Sequence, residues 1–386
     1  MTILIIGAGI AGLSTAISLK LQGFNVEIYE RNSSISDMGA GIVSWPNASN
    51  ILEKLNLLPA VLKVSGKVSS MNRFTKEGES LGSMDINTIN ELMSYPSLSI
   101  LRADLMHILN NKITEMKIPI HFNHDLLSFV TQNNIASVKF SNNEIKEADV
   151  IIGADGRMNS LAREYVSGDN TPKYQGFINW VGIIKSKNEI FTDLSVSDYW
   201  GIGKRFGIVP ISKHLAYWAA GSTSSKIKPK KPSLYKSEVL NAFKDWPSNI
   251  SDIIQNSQND TINKIYVHDH DPLSKWHKNN VILIGDCAHA ALPTSGQGAC
   301  QALEDAWHIA KCLKQNSLNI NKAFENFSKI RIKKTSTIIS SGRQFASSIF
   351  NEDKIFCLNR NERSKTSDSN KQATAMANIW QEHLPL

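Results

Sequence analysis

The sequence is poor in everything that marks a secreted scaffold, a membrane protein or a metal protein. Its 386 residues hold four cysteines, Cys287, Cys300, Cys312 and Cys357. None forms a Cys-x-x-Cys pair, so neither a disulfide framework nor a zinc ribbon is expected, and the four read as reduced thiols of a cytoplasmic protein. No window approaches the roughly 18–20 apolar residues that span a bilayer. The apolar N-terminus has no basic n-region, and its glycines would break a signal-peptide helix. His268 and His270 alternate on one strand face, but no third ligand is in view and no metal is expected. The formal charge of +7 is scattered. Its densest run, Lys226, Lys228, Lys230 and Lys231, is interrupted by Pro229 and Pro232 and reads as a solvated loop, so no nucleic-acid partner is expected. There is no internal repeat and no low-complexity tract. An apolar share of 41% with 20% charged residues fits a globular enzyme, and the length suits two domains.

What is present begins at once. Thr2–Ile6 is a β-rich apolar run leading into Gly7-Ala8-Gly9-Ile10-Ala11-Gly12. Leu13, Ile17 and Leu21 then lie one helical turn apart, Gly23 breaks the helix, and Val26 to Tyr29 reads as a second strand closed by Glu30. Gly7 permits the strand-to-helix turn, Gly9 lets a pyrophosphate approach the backbone, and Gly12 lets the helix pack closely on the sheet. The helix N-terminus offers free N–H groups and partial positive charge to phosphates, and Glu30 lies where a carboxylate accepts ribose hydroxyls. FAD and NAD share this turn, and the motif alone does not choose between them.

Further along, a glycine-rich stretch from Met38 to Asn47 enters a helix near Ala48 to Leu55. Residues 68–98 read as a hairpin, and Arg102 opens a helix to Lys112. Strand-like segments follow at 118–123, 126–131 and 135–140. Ala148 to Ile152 is a strand of the kind buried on both faces, running into Gly153-Ala154-Asp155-Gly156. From 174 to 221 the pattern turns β-rich and aromatic, and 233–256 is helical in period. Val281 to Ile284 is a second buried strand, followed by Gly285-Asp286 and a loop carrying Pro293, Gly296, Gln297 and Gly298. Helices are expected from about Ala299 to Leu313 and from Asn321 to Ser340. A polar and partly mobile stretch from 351 to 371 precedes a last helix near 372–383.

These segments predict an α/β chain. A Rossmann-like nucleotide-binding domain at 1–68, 99–170 and 266–345 is interrupted by a β-sheet-rich substrate domain at 69–98 and 171–265, with a C-terminal helical tail at 346–386. Asp286, at the carboxyl end of a buried strand, can bond ligand hydroxyls such as those of a ribityl chain. Gly296 and Gly298 let the backbone approach a flat ring, and the helix from Ala299 points its positive end there, where it would stabilise an anionic reduced flavin.

The three motifs together resemble the class A (single-component) flavoprotein monooxygenases with the p-hydroxybenzoate hydroxylase-like fold, from Ile3 to about Gly342. The resemblance makes the nucleotide domain a Rossmann-like FAD-binding domain (GR2-type) and implies FAD at Gly7, Gly9, Ala11, Gly12, Glu30, Arg31, Arg102, Leu126, Asp155, Asp286, Gly296, Gly298 and Ala299. It also implies NADPH or NADH as co-substrate. The family's middle motif is Asp-Gly-x-x-Ser-x-(Val/Leu)-Arg. Here Asn159 stands at the serine position and the arginine, Arg163, comes one place late, so Asn159 is expected to cap the following helix.

Within the family the chain is similar to the FAD-dependent urate hydroxylases, through Trp45-Pro46-Asn47, Asn179-Trp180, His268-Asp269-x-x-Pro272, Gly203-Lys204-Arg205 and Tyr217. Arg205 and Tyr217 are the expected substrate-facing residues, and Pro293 rigidifies the loop over the flavin. The urate enzymes carry a catalytic Asp just after that proline. Thr294 stands there in this chain, which argues against urate. His289 could serve as a base, but its place in the FAD loop favours a structural role.

The implied chemistry is reduction of FAD by NAD(P)H and reaction with O2 to a C4a-hydroperoxide. Its oxygen then passes to a small aromatic, heteroaromatic or alkene substrate, hydroxylating or epoxidising it. Two other classes fit less well. One is a flavin reductase, dehydrogenase or halogenase on the same fold, although the halogenase WxWxIP signature is missing. The other is a non-catalytic binding protein, which should have lost the intact Gly-Asp and Gly-Gln-Gly segments.

Overall fold

A computed structural model describes residues 1–36 and 39–385. Met38, at the head of the expected glycine-rich stretch, lies outside the described residues. Thr2–Ile6 is central in a six-stranded sheet, with Asn25–Tyr29 and Val150–Gly153 parallel on either side. Ile120–His121 continues the sheet beyond Asn25–Tyr29, and Val281–Leu283 beyond Val150–Gly153. The antiparallel edge His277–Lys278 closes it. Ile3, Ile5, Val150, Ile152 and Val281 are fully buried, as expected of strands covered on both faces. The helix Ile10–Leu21 packs against the helix Gly298–Gln315, so the first and last nucleotide motifs stand side by side.

The second layer is a seven-stranded sheet in the order Asn263–Asp269, Lys173–Lys185, Leu215–Thr223, Lys204–Ser212, Val196–Trp200, Ser70–Thr75, Ser80–Asp85. Its edge strand crosses the expected border at 265/266 and ends at Asp269. Side chains alternate across it. Trp180, Phe206, Ile208, Trp218 and Ala220 pack on Tyr235, Val239, Phe243, Ile250 and Ile254 of the helices Tyr235–Ala242 and Ser248–Asn256. The other face, with Val181, Ile183, Val209 and Tyr217, packs toward the nucleotide domain.

Three expectations differ from what is found. The segment after the Ser70–Asp85 hairpin is a helix, Ile86–Met93, whose Asp85 cap accepts from the Asn87 N–H at 2.9 Å. Its apolar positions Ile86, Ile89 and Met93 sit on one face. The helix expected to stop at Ser340 runs from Ile320 to Ile349. The stretch from 351 to 371 is ordered as Lys354–Lys365 and the start of Ser369–Gln381, capped by Asp353 and Asp368. Those aspartates are helix starts hidden in a polar composition.

A buried ionic cluster fastens this C-terminal segment. Glu304, Asp305, Arg331 and Lys334 are each 1% exposed or less. Arg331 bonds both carboxylates, and Lys334 bonds Glu304 at 2.8 Å and the Trp380 carbonyl at 2.6 Å. Trp380 in turn lies 4.9 Å from Trp45, centroid to centroid. His308 is packed beside the cluster. Burial, helped by Arg331, pushes its imidazole down to about 4. The unfolded chain takes that proton near pH 6.5 and the folded chain only near 4, so protonation favours unfolding. Stability should fall by up to about 3 kcal/mol as pH drops from 6.5 to about 4. Urea unfolding across that range checks this, and His308→Gln should flatten the slope, leaving the part that comes from His270 and His277, whose pKa burial also lowers.

Candidate active site

Steric facts fix the first turn. A Cβ on Gly7 would lie 2.4 Å from the Ala154 carbonyl oxygen, and one on Gly12 only 1.9 Å from that of Gly7. Gly9 caps the helix Ile10–Leu21 without any side-chain bond, and a Cβ there would meet nothing within 4 Å. The free N–H groups of the first helical turn therefore face open space. Glu30 is 8% exposed and ties the turn from behind, one oxygen accepting from Ala8 N at 2.7 Å and the other from Asn32 N at 2.9 Å. Arg31 is exposed beside it, whereas Leu126 is buried with the core.

The second turn meets the first. A Cβ on Gly285, which has φ +60°, would lie 2.7 Å from the methyl of Ala11. Asp286, half-buried at the strand end, pairs with Arg157 at 2.9 Å. Arg102 lies in the field of both. Burial lowers the pKa of its guanidinium, and Asp286 opposes that shift. Behind the turn, Asp305 accepts from Gly285 N at 2.7 Å, from His289 at 2.5 Å and from Arg331 at 2.7 Å. Burial raises the Asp305 pKa, but His289 and Arg331 outweigh it and hold the carboxyl down to about 2. His289 is thus engaged in bracing Asp305 and is 4% exposed. The helix Gly298–Gln315 also starts without a side-chain cap, and a Cβ on Gly298 would meet nothing within 4 Å. Ala299 follows in its first turn, while Gly296, at φ +63°, lies against Trp45.

The middle motif corrects one expectation. Ser160, not Asn159, caps the helix Leu161–Ser167, accepting from Arg163 N at 2.9 Å. Asp155 accepts from the Ser160 hydroxyl at 2.5 Å and Ala162 N at 3.1 Å. Asn159 has φ +57° and absorbs one inserted residue, so the serine and the arginine are both displaced by one. Arg163 is 1% exposed and donates to the carbonyls of Cys287, Ala288 and Asp271, clamping the Gly285 turn. His270, expected on one strand face with His268, lies past the end of the strand Asn263–Asp269, buried and bonded to the Arg157 carbonyl at 2.7 Å.

On the inner face of the large sheet, the register aligns Gly207 with both Asp198 and Ala219, and Val209 with Tyr217. Arg205 and Tyr217 therefore bracket a floor of Gly207 and Ala219, with their Cα atoms roughly 13 Å apart along the strands. A Cβ on Gly207 would meet nothing closer than 3.9 Å, so the floor is open. Tyr217 is buried with its ring against Gly41, and its hydroxyl has no hydrogen-bond partner among the described residues. Burial, with the Cys300 thiol adding, raises the Tyr217 pKa and keeps the phenol protonated. Arg205 is held bidentately by Asp198 at 2.6 and 3.1 Å. Pro293 is exposed and opens a single turn, Pro293–Ser295, whose Thr294 hydroxyl donates to the Gly342 carbonyl at 2.9 Å.

Two uncapped helix starts, each headed by a glycine facing open space, and the half-buried Asp286 carboxylate at the strand end fit a dinucleotide with a ribityl chain. The family described as "FAD binding domain" matches residues 1–317. The chain belongs to that family. Flavoprotein relatives cover almost all of it. The aurachin C monooxygenase/isomerase of Stigmatella aurantiaca is 27% identical over 340 residues, covering 88% of this chain and 87% of the relative. The FAD-dependent urate hydroxylase of Mycolicibacterium vanbaalenii is 28% identical over 347 residues, covering 89% and 87%. Klebsiella pneumoniae HpxO, solved with FAD and uric acid, superposes with a TM-score of 0.90 at 22% identity, covering 99% of this chain and 97% of that one.

In this FAD-binding chain, Gly7, Gly9, Ala11, Gly12, Glu30, Arg102, Asp286, Gly298 and Ala299 gather around the two turns. Asp155 stands behind them and supports a helix cap. Sequence reasoning missed Asp198, Asp305 and Gly207. Gly207 had a visible signal, a glycine inside a strand pattern. The two aspartates had none, because each acts through a partner distant in sequence or on another strand.

Proposed function

We propose that this FAD-dependent monooxygenase draws on NADPH or NADH and inserts one oxygen atom into a small aromatic, heteroaromatic or unsaturated substrate lying over Gly207 and Ala219. The observation that carries the reading is the open glycine–alanine floor beside Tyr217, a buried side chain whose hydroxyl has no hydrogen-bond partner among the described residues. Buried tyrosines ordinarily find one. Bound FAD supplies the electron transfer and oxygen activation. Gly9, Gly298 and the two helix starts would hold its phosphates and ring, and Asp286 its ribityl hydroxyls. Tyr217 donates to a substrate oxygen, Arg205 orients the other end, and the apolar walls exclude water. The Thr294 hydroxyl is spent on Gly342, so that position supplies no base and urate is not the substrate proposed. Four free, buried thiols are in keeping with a cytoplasmic setting.

The test is a substrate screen by NAD(P)H consumption, with products checked by mass for one added oxygen. Consumption that yields no oxygenated product from any phenol, purine or quinolone would favour a reductase instead. Gly207→Leu should keep FAD bound while weakening substrate binding at least tenfold, because its side chain occupies the floor.

A further inference from the structure

We infer that Asp198 sets the substrate class of this pocket, selecting a neutral ring with a hydrogen-bond-accepting oxygen over one that bears a carboxylate. The inference rests on the reading that substrate lies between Arg205 and Tyr217. Arg205 is the cation whose field reaches the Tyr217 hydroxyl. Asp198, 1% exposed, takes two of its N–H groups and is itself fixed by Trp200 Nε1 at 2.9 Å. A bidentate carboxylate closes the fork that would otherwise grip a substrate carboxylate. It also lies one strand further from Tyr217 than Arg205 does, so it draws the guanidinium away from the tyrosine and keeps the floor wide. Phe345 lies 5.5 Å from the guanidinium, centroid to carbon. Two more guanidiniums, Arg73 and Arg360, stand 5.8 and 5.4 Å from the Trp200 ring. Both stand in the field of Asp198 but make their hydrogen bonds elsewhere, Arg73 with Gln372 and Arg360 with the carbonyls of Ser348, Ile349 and Gly201. What faces the floor is therefore a rigid set of N–H and O–H donors whose nearest charge is already paired. Such a site suits a ring carbonyl, phenol or N-oxide. A second anion would have to displace Asp198, which has no other cation bonded to it among the described residues.

Asp198 acts through Arg205 and is a positioning residue. Titration of the FAD-loaded enzyme with para-hydroxybenzamide and para-hydroxybenzoate, followed by the flavin spectrum, tests it on two probes of one shape and different charge. The wild type should bind the amide at least tenfold more tightly. Asp198→Asn should move the ratio at least tenfold toward the carboxylate, and Asp198→Glu should restore the original order. If Asp198→Asn does not fold, Arg205→Gln should collapse the preference to near unity by losing amide affinity. A wild type that prefers the carboxylate, or an unchanged ratio in the variants, overturns the inference while leaving the pocket reading intact. Silence from both probes with FAD bound overturns the pocket reading itself.

Discussion

Gly12→Val should give a chain that retains no FAD and is recovered mostly as aggregate. The reason is local. The first atom of any side chain at Gly12 would sit 1.9 Å from the Gly7 carbonyl oxygen, and the next neighbour is Ile5 in the central strand. Neither can move, because Gly7 N bonds the Tyr29 carbonyl at 2.8 Å and the strand pairs on both sides. The helix would have to tilt off the sheet, which also pulls its free N–H groups out of line with the phosphates. Gly9→Ala is the matched control. A Cβ there meets no protein atom, so the fold should stay soluble with a normal circular-dichroism spectrum while FAD binding weakens at least tenfold. Soluble yield and flavin fluorescence read out both variants. If the Gly12 variant is soluble and yellow, the close-packing argument fails.

The second large effect should come from Arg331→Met. It removes the cation that bonds both Glu304 and Asp305, leaving those fully buried carboxylates with Lys334 and His289 as ion-pair partners and with the neutral donors Asn47, Gln301 and Gly285 N. Breaking a buried ion pair by deleting one partner costs about 3–5 kcal/mol. Here the loss should appear in urea unfolding and also in cofactor affinity, since Asp305 positions Gly285 N. Arg331→Lys should lose less, because a single ammonium can satisfy one carboxylate but not bridge two. A loss under about 1 kcal/mol in Arg331→Met would show that the network contributes little.

The glycine turns were readable because their chemistry is local: a strand, a fixed spacing of glycines and an acidic residue occupy one short stretch. The Gly-Asp strand end was readable for the same reason. In the middle motif the residue types were right and the assignment of the cap was wrong, since one inserted residue hides in the left-handed conformation of Asn159, which sequence spacing cannot show. The tail looked mobile because its composition is polar. It is held by contacts made to remote partners, Lys334 to the Trp380 carbonyl and Ser364 to the Leu81 carbonyl. Asp198 and Asp305 were invisible for a related reason. A buried carboxylate is explained only by the cation that faces it, and strand register or helix packing decides which one that is.

One cofactor gripped from both ends by turns that the chain brings together from its start and from beyond residue 280 is the central claim. Its most direct measurement is the flavin released from purified protein on heat denaturation, identified by chromatography and counted against chains. About one FAD per chain is expected for the native protein. Replacing either Gly9 or Asp286 should lower that flavin content through an affinity at least tenfold weaker, with the fold retained. Protein that emerges colourless, takes up no added FAD, or keeps a full complement after Asp286→Ala would contradict it.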